Sequence, residues 1–119
     1  MGKHFLFILR HPPESGLRVR ETLDMIMTAA AFDQTVTLLF LDDGVYQLKH
    51  SQDAESPDFP PLARWWDALS MYGVDDLRVE AESLEERALC PDDLGRLVRP
   101  VARTAVAALI RTADVVVPA

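Results

Sequence analysis

Short apolar runs alternate along the chain with segments in which apolar residues recur every three or four positions. The runs predict buried strands, because strands of a parallel sheet covered on both faces are apolar at nearly every residue. Such runs cover residues 4–9, 35–41 and 114–117, and two stretches that mix apolar and charged residues, 77–81 and 97–101, are also interpreted as strands. The segments with helical spacing predict helices that bury one face. They cover residues 17–32, 62–72, 83–87 and 104–113.

Local signals mark the ends of these helices. Ser15 is suited to cap the first helix, and Gly73 is suited to end the second. Ser83 followed by Glu86 matches a capping box, which predicts that the third helix starts at Ser83. Three apolar residues of the last helix are expected to face the sheet: Val106, Leu109 and Ile110.

Strands that alternate with helices in this way predict an α/β fold. We expect a three-layer α/β/α sandwich with a parallel sheet of about five strands, formed by a single domain over residues 1–119. Residues 49–61 are polar and contain prolines, which predicts a surface loop. Ligands of such sheets bind beyond the carboxyl ends of the strands, so the loops at that edge are the places to search for chemistry.

The charge of the chain argues against one class of function, the direct binding of nucleic acid. The chain has 12 Lys and Arg against 19 Asp and Glu, a net charge of −7, and its only lysines are Lys3 and Lys49. Proteins that grip phosphates cluster basic residues, so direct binding of RNA or DNA is not expected. The apolar run at residues 4–9 is too short for a signal peptide or a membrane span. Together with a single cysteine, this predicts a cytoplasmic protein that does not enter membranes.

The loops at the carboxyl edge hold few chemical groups. Residues 10–16 contain one glycine and match no phosphate-binding loop, so no nucleotide cofactor is expected. Asp42 and Asp43 follow the second strand, where two carboxylates could hold a divalent cation. Asp and Gly also dominate turns and helix starts for local reasons, and we favour that interpretation for Asp42, Asp43 and Gly44. No metal site is therefore predicted.

Groups that might act as nucleophiles or ligands are also sparse. Cys90 is followed by Asp92 and Asp93, and nearby negative charge disfavours the reactive thiolate, so we expect an inert thiol. The three histidines, His4, His11 and His50, lack the spacing of a triad or a metal cluster. Two tryptophans lie on one apolar stripe with leucines and predict core or subunit contacts: Trp65 and Trp66.

Four segments carry a resemblance to a known family. Residues 30–34, AAFDQ, and residues 38–48, LLFLDDGVYQL, resemble the DsrE/DsrF-like sulfur-relay family, in particular its DsrF/TusC branch. Residues 71–74, MYGV, and residues 82–89, ESLEERAL, are similar to two further segments of that branch. Ala88 departs from the glycine usual in the last of these. The resemblance spans nearly the whole chain.

The resemblance implies a role and partners. It implies a dimer of heterotrimers in which this chain assembles with a DsrE/TusD-like subunit and a DsrH/TusB-like subunit. The DsrE/TusD-like subunit carries a persulfide-forming cysteine at a strand end and passes sulfur to a TusE/DsrC-like acceptor. The matching residues here are Val79, Glu80 and Ala81, without a thiol. This chain therefore resembles a non-catalytic subunit.

Two alternatives for the function stay open. The complex would serve tRNA 2-thiouridine synthesis, or the oxidation of stored sulfur in a DsrF-type role. An alternative of another class makes Cys90 itself a persulfide carrier. The segment that carries the resemblance is the family-signature loop, which we expect to contact a partner: Asp42, Asp43, Gly44, Val45, Tyr46 and Gln47.

Overall fold

Five parallel strands form the centre of the molecule. The computed structural model describes residues 2–12, 16–49, 65–66, 68–94 and 98–119. Within these residues the sheet has the order β4-β3-β2-β1-β5. The strands are β1 (His4–Leu9), β2 (Thr35–Phe40), β3 (Asp76–Glu80), β4 (Arg99–Val101) and β5 (Val115–Pro118). The α/β fold with a parallel sheet is thus confirmed.

Helices lie between the strands. The α-helices are α1 (Gly16–Ala31), α2 (Ala81–Glu86) and α3 (Arg103–Thr112), and short 3₁₀ helices cover Asp42–Leu48, Leu69–Tyr72 and Pro91–Leu94. None of the helices in the described ranges is long and apolar enough to cross a membrane. The three α-helices have 16, 6 and 10 residues in chain order.

The larger part of the core lies between α1 and one face of the sheet. Alternate residues of each strand point to the same face, so Val36, Leu38 and Phe40 of β2 pack with Ile26 of α1 in one cluster. Trp66 joins them and is 1% exposed. Its ring meets the Phe40 ring edge to face, with the ring centroids 5.3 Å apart. The prediction that Trp66 belongs to the core is confirmed.

The opposite face carries a much smaller core. Leu6, Leu39 and Leu41 are its buried members, and α3 contributes the half-buried Val106 and Leu109. No residue of α3 is fully buried. Ile110 is 39% exposed, so the prediction that it faces the sheet is wrong. Helical spacing reports which residues share a stripe, whereas the width of the buried stripe depends on how much sheet lies beneath it.

Two predicted helix boundaries can be compared with the structure. Gly73 does end the 3₁₀ helix Leu69–Tyr72 in a left-handed conformation, with φ at 82°. The capping box is wrong: α2 begins at Ala81, two residues before Ser83, and Glu80 is the capping position. Three expectations lie outside the described residues: the cap at Ser15, the first residues of the predicted 62–72 helix and most of the predicted 49–61 loop.

A chain of polar side chains crosses the amino-terminal end of the sheet on the α3 side. His4 Nε2 contacts Thr37 Oγ1 at 2.8 Å, and Thr37 donates to Asp76 Oδ2 at 2.9 Å. Arg78 and Arg99 also hydrogen-bond to Asp76, at 3.0 and 2.8 Å. Burial alone would raise the pKa of Asp76, but these hydrogen bonds outweigh it, and the pKa lies below its ordinary value of 3.8.

Acid should weaken the fold through Asp76. A carboxyl whose pKa is lower in the folded state stabilises fully above its unfolded pKa, here 3.8, and this contribution disappears as the pH falls further. We therefore expect Asp76→Asn to lose less stability than the wild type as the pH drops below 4, measured by urea unfolding. The exposed neighbour Asp75, which makes no ion pair within the described residues, supplies the control Asp75→Asn. Equal acid sensitivity of the two variants would contradict the assignment.

Ala88 occupies a position that favours glycine. It follows α2 with φ at 55°, and Leu89 donates to the Leu84 carbonyl at 2.9 Å, as in a helix end closed by a left-handed residue. Side chains cost roughly 1–2 kcal/mol in this conformation. Glycine loses about 0.4–1 kcal/mol more entropy on folding.

We expect Ala88→Gly to stabilise the protein by about 0.5–1 kcal/mol, because the relieved strain exceeds the added entropy cost. The matched control is Ala31→Gly, at the exposed last position of α1, which should destabilise by about 0.5–1 kcal/mol. Chemical denaturation of both variants distinguishes the two effects. A loss of stability at Ala88 similar to that at Ala31 would show that no strain exists there.

Candidate functional site

The family-signature loop lies across the carboxyl end of β1. Leu41 donates to the Leu9 carbonyl at 3.1 Å, and Gly44 donates to Leu41 at 3.0 Å, which turns the chain into the 3₁₀ helix Asp42–Leu48. Gln47 Nε2 then donates to the His11 carbonyl at 2.7 Å and ties the loop to the segment after β1. The prediction of a turn and helix start after β2 is confirmed.

The side chains of this loop divide into two groups. Val45 and Gln47 are buried, at 0% and 2% exposure, so they hold the loop in place and offer little to a partner. Asp42 and Tyr46 are half-buried, and Asp43 is exposed. A partner subunit that docks here would therefore meet Asp43, Tyr46 and part of Asp42.

The two aspartates point to different arginines. Asp42 has φ at 51° and pairs with Arg10 at 3.0 Å, whereas Asp43 pairs with Arg87 at 3.0 Å. Each carboxylate is thus neutralised by its own cation. This geometry does not bring the two carboxylates together as ligands of one ion, and it supports the interpretation of Asp42 and Asp43 as turn residues.

A buried carboxylate occupies the end of β3. Glu80 is 5% exposed, and its Oε1 accepts hydrogen bonds from Ser83 Oγ at 2.6 Å and from Arg103 at 2.9 and 3.1 Å. Ser83 Oγ also accepts the Asp42 N–H at 2.9 Å. We call Glu80, Ser83 and Arg103 the Glu80 cluster. It joins β3, α2, the signature loop and α3 at one point.

Arg103 is held from three sides. Its backbone N–H donates to the Glu82 carboxylate at 2.9 Å, and its guanidinium pairs with Glu86 at 2.8 Å as well as with Glu80. The hydrogen bonds to Glu80 and Glu86 raise the pKa of Arg103 further above its ordinary value, so it stays charged. Glu82 therefore caps α3 from another element of the chain.

Among the described residues, those around Glu80 offer no free nucleophile. The stretch Val79, Glu80, Ala81 has no thiol, and the Ser83 hydroxyl is fully buried between Glu80 and Asp42. Cys90 lies beyond α2 with an exposed side chain, and its backbone N–H donates to Asp93 Oδ2 at 2.8 Å. The described residues contain no group of three His, Cys, Asp or Glu side chains that could hold a metal ion.

Sequence reasoning missed the Glu80 cluster. It also missed the hydrogen bond that the His11 carbonyl accepts from Gln47. Glu80 and Arg103 are separated by 23 residues, and no local pattern links them. A charged residue at the end of an apolar strand was the only available signal. His11 is half-buried, and its backbone carbonyl accepts the Gln47 side-chain amide. His4 begins β1, as the predicted strand over residues 4–9 implies. His50 lies outside the described residues.

Gly44 is required by a close contact. A Cβ atom at this position would lie 1.9 Å from the Leu9 carbonyl oxygen, which is backbone and cannot rotate away. We expect Gly44→Ala to destabilise the protein by about 1–3 kcal/mol in urea unfolding, because the loop must move off β1. Asp43→Ala removes only a surface ion pair and should cost at most about 1 kcal/mol. If both variants had equal stability, the loop would not depend on this contact.

Several known proteins resemble this chain in sequence or in fold. The "Protein TusC homolog" of Pseudomonas aeruginosa is 39% identical over 117 residues, covering 98% of both chains. The "Intracellular sulfur oxidation protein DsrF" of Allochromatium vinosum is 39% identical over 92 residues, covering 77% of this chain and 68% of the relative. The crystal structure of the ychN protein from E. coli superposes with a TM-score of 0.82 over 100% of both chains at 14% identity, which supports the fold alone.

Membership in a family is shown by a match over almost the full chain. Residues 3–118 match the model of the DsrE/DsrF-like family. This stretch includes the signature loop, the Glu80 cluster and all five strands of the described sheet. The resemblance found in the sequence is confirmed, and the chain belongs to the DsrE/DsrF-like family.

Proposed function

We propose that this chain is a non-catalytic subunit of a sulfur-relay complex of the DsrEFH/TusBCD kind. The proposal rests first on the family, whose relatives include TusC homologues and a protein named for sulfur oxidation. It rests above all on the Glu80 cluster. A strand end that would have to present a reactive sulfur instead holds a buried carboxylate, paired with Arg103 and Ser83.

A persulfide at this position would face unfavourable surroundings. Sulfur transfer needs a thiolate that is accessible and stabilised by nearby positive charge. Here the positive charge of Arg103 is already shared by Glu80 and Glu86. Replacing this network with a reactive sulfur would leave Arg103 and Ser83 without their buried acceptor. The chemistry therefore belongs to a partner.

The partners we propose are a cysteine-bearing DsrE/TusD-like subunit and a DsrH/TusB-like subunit. The surface we assign to them includes Asp43 and Tyr46 of the signature loop, since these side chains reach solvent at the carboxyl edge. The complex would deliver sulfur to a TusE/DsrC-like acceptor. The net charge of −7 supports contact with tRNA only through such partners.

Of the two pathways, we propose tRNA 2-thiouridine synthesis. The TusC homologue of Pseudomonas aeruginosa matches along 98% of both chains, whereas the DsrF protein shares the same identity along only 68% of its own length. Oxidation of stored sulfur in a DsrF-type role is the alternative. A third candidate has one observation in its favour, since the Cys90 thiol is exposed and could receive sulfur.

Affinity purification of the tagged full chain from its own cell tests the proposal. We expect two homologous subunits to purify with it, one bearing a cysteine at the end of its third strand. The complex should pass sulfur to its acceptor at an unchanged rate when this chain carries Cys90→Ser. The control is Cys→Ser at the partner's strand end, which should abolish transfer.

Mass spectrometry separates the rival assignment of Cys90. After incubation with a cysteine desulfurase and cysteine, a persulfide would add the mass of one sulfur atom, about 32 Da, to the peptide that contains Cys90. We expect that adduct on the partner and not on Cys90. Loss of transfer in Cys90→Ser, with the adduct on Cys90, would overturn the non-catalytic role.

A further inference from the structure

The two longest segments that carry the family resemblance lie in contact with each other. Residues 38–48 include the signature loop, and residues 82–89 include most of α2 and the turn that ends it. Two side chains of the second segment, Ser83 and Arg87, reach the loop. The first binds the loop by its backbone and the second binds it by a side chain. Residues 82–89 therefore support the loop from the side of β3.

The contact at Ser83 stabilises an uncommon backbone conformation. Asp42 has φ at 51°, in the left-handed region that is uncommon for residues other than glycine. Such conformations persist only where the surrounding structure holds them. Ser83 is 0% exposed and accepts the Asp42 N–H at 2.9 Å, while its own proton goes to Glu80 Oε1 at 2.6 Å. The first residue of the loop helix is therefore held in its left-handed conformation by a hydroxyl whose direction is fixed.

The contact at Arg87 fixes the next residue of the loop through its side chain. The Arg87 side chain is 19% exposed, and its guanidinium donates to Asp43 Oδ1 at 3.1 Å and to the Ser83 carbonyl at 3.2 Å. A planar guanidinium joins two elements firmly, because its donors have fixed directions. The Arg10 side chain, which pairs with Asp42, is 60% exposed, so water and salt screen that pair more strongly. The firmer ionic contact of the loop is therefore the one with Arg87.

We propose that residues 82–89 form a clamp that holds the signature loop in the conformation that partners recognise, with Ser83 and Arg87 as its positioning residues. Asp43 and Tyr46 reach solvent from this loop, and their positions depend on the turn that the clamp holds. A segment that loses such contacts opens locally while the rest of the domain stays folded. Recognition by partners rests on the proposed function, whereas the hold on the loop does not.

Amide hydrogen exchange of the full chain, followed by NMR, tests the clamp without any partner. The Gly44 amide reports on the loop, since it donates to the Leu41 carbonyl at 3.0 Å, and the Leu39 amide in the middle of β2 reports on the sheet. We expect Ser83→Ala to speed exchange at Gly44, relative to Leu39, by about tenfold or more, because the loop opens locally. Arg87→Met keeps the apolar stem and loses the guanidinium, and it should raise the same ratio about fivefold.

Two matched controls separate the clamp from general effects on stability. Thr22→Val also removes one buried hydroxyl, but this hydroxyl donates to a carbonyl within α1. Arg10→Met removes the exposed ion pair of Asp42. Both controls should change the exchange ratio by less than about threefold. An unchanged ratio in the clamp variants, or an equal rise in the controls, would overturn the clamp, and Arg87→Met decides the question if Ser83→Ala does not fold.

Affinity for the cysteine-bearing subunit gives the second readout. We expect Ser83→Ala and Arg87→Met to bind it about tenfold or more weakly than the wild type, and Thr22→Val to bind it equally well, because only the clamp variants shift the loop. Equal affinity of all variants would refute recognition of the clamped loop. If the wild type binds no homologous subunit, the proposed function fails, and the exchange ratios still decide whether the clamp exists.

Discussion

The architecture of the carboxyl edge depends on the hydrogen bonds that the buried Glu80 carboxylate accepts from Arg103 and Ser83. A carboxylate at 5% exposure is costly unless its charge is paired and its oxygens are hydrogen-bonded. Arg103 supplies the charge and Ser83 a hydrogen bond. Because Ser83 also receives the Asp42 N–H, the same group fixes the position at which the signature loop leaves β2. Four elements are therefore positioned by one ionised side chain.

The Glu80 cluster also shapes the turn from β3 into α2. The turn from β3 into α2 needs a side chain at residue 80 that fills the space beneath α3 and satisfies its neighbours. Glu80 does this through Arg103, whose backbone N–H is in turn capped by Glu82. Within the described residues, the polar groups at this end of β3 therefore satisfy one another.

The spacing of apolar residues alone was sufficient to predict the bounds of two elements. Strand β1 is predicted to the residue, and the last helix is shifted by one, because both reflect local runs of apolar residues. The capping box at Ser83 failed for a physical reason. Its hydroxyl is used by Glu80 and Asp42, so the helix starts two residues earlier, where the strand ends.

The candidate site was predictable in place but not in detail. The signature loop follows β2 as expected from its Asp and Gly residues, whereas the division between buried Gln47 and accessible Tyr46 depends on the contact of Gln47 with His11. The Glu80 and Arg103 pair spans 23 residues and arises only when β3 and α3 come together. Such pairings follow from the tertiary fold, which a local pattern does not encode.

The unequal layers of the sandwich have a consequence for how the molecule opens. On one side of the sheet α1 and Trp66 belong to a broad core, but on the other side α3 rests on Leu6, Leu39 and Leu41 with no buried residue of its own. Segments with few buried apolar contacts open at lower free energy than the rest of a domain. We therefore expect the carboxyl-terminal part of α3, beyond the Arg103 contacts, to open at a lower free energy than α1.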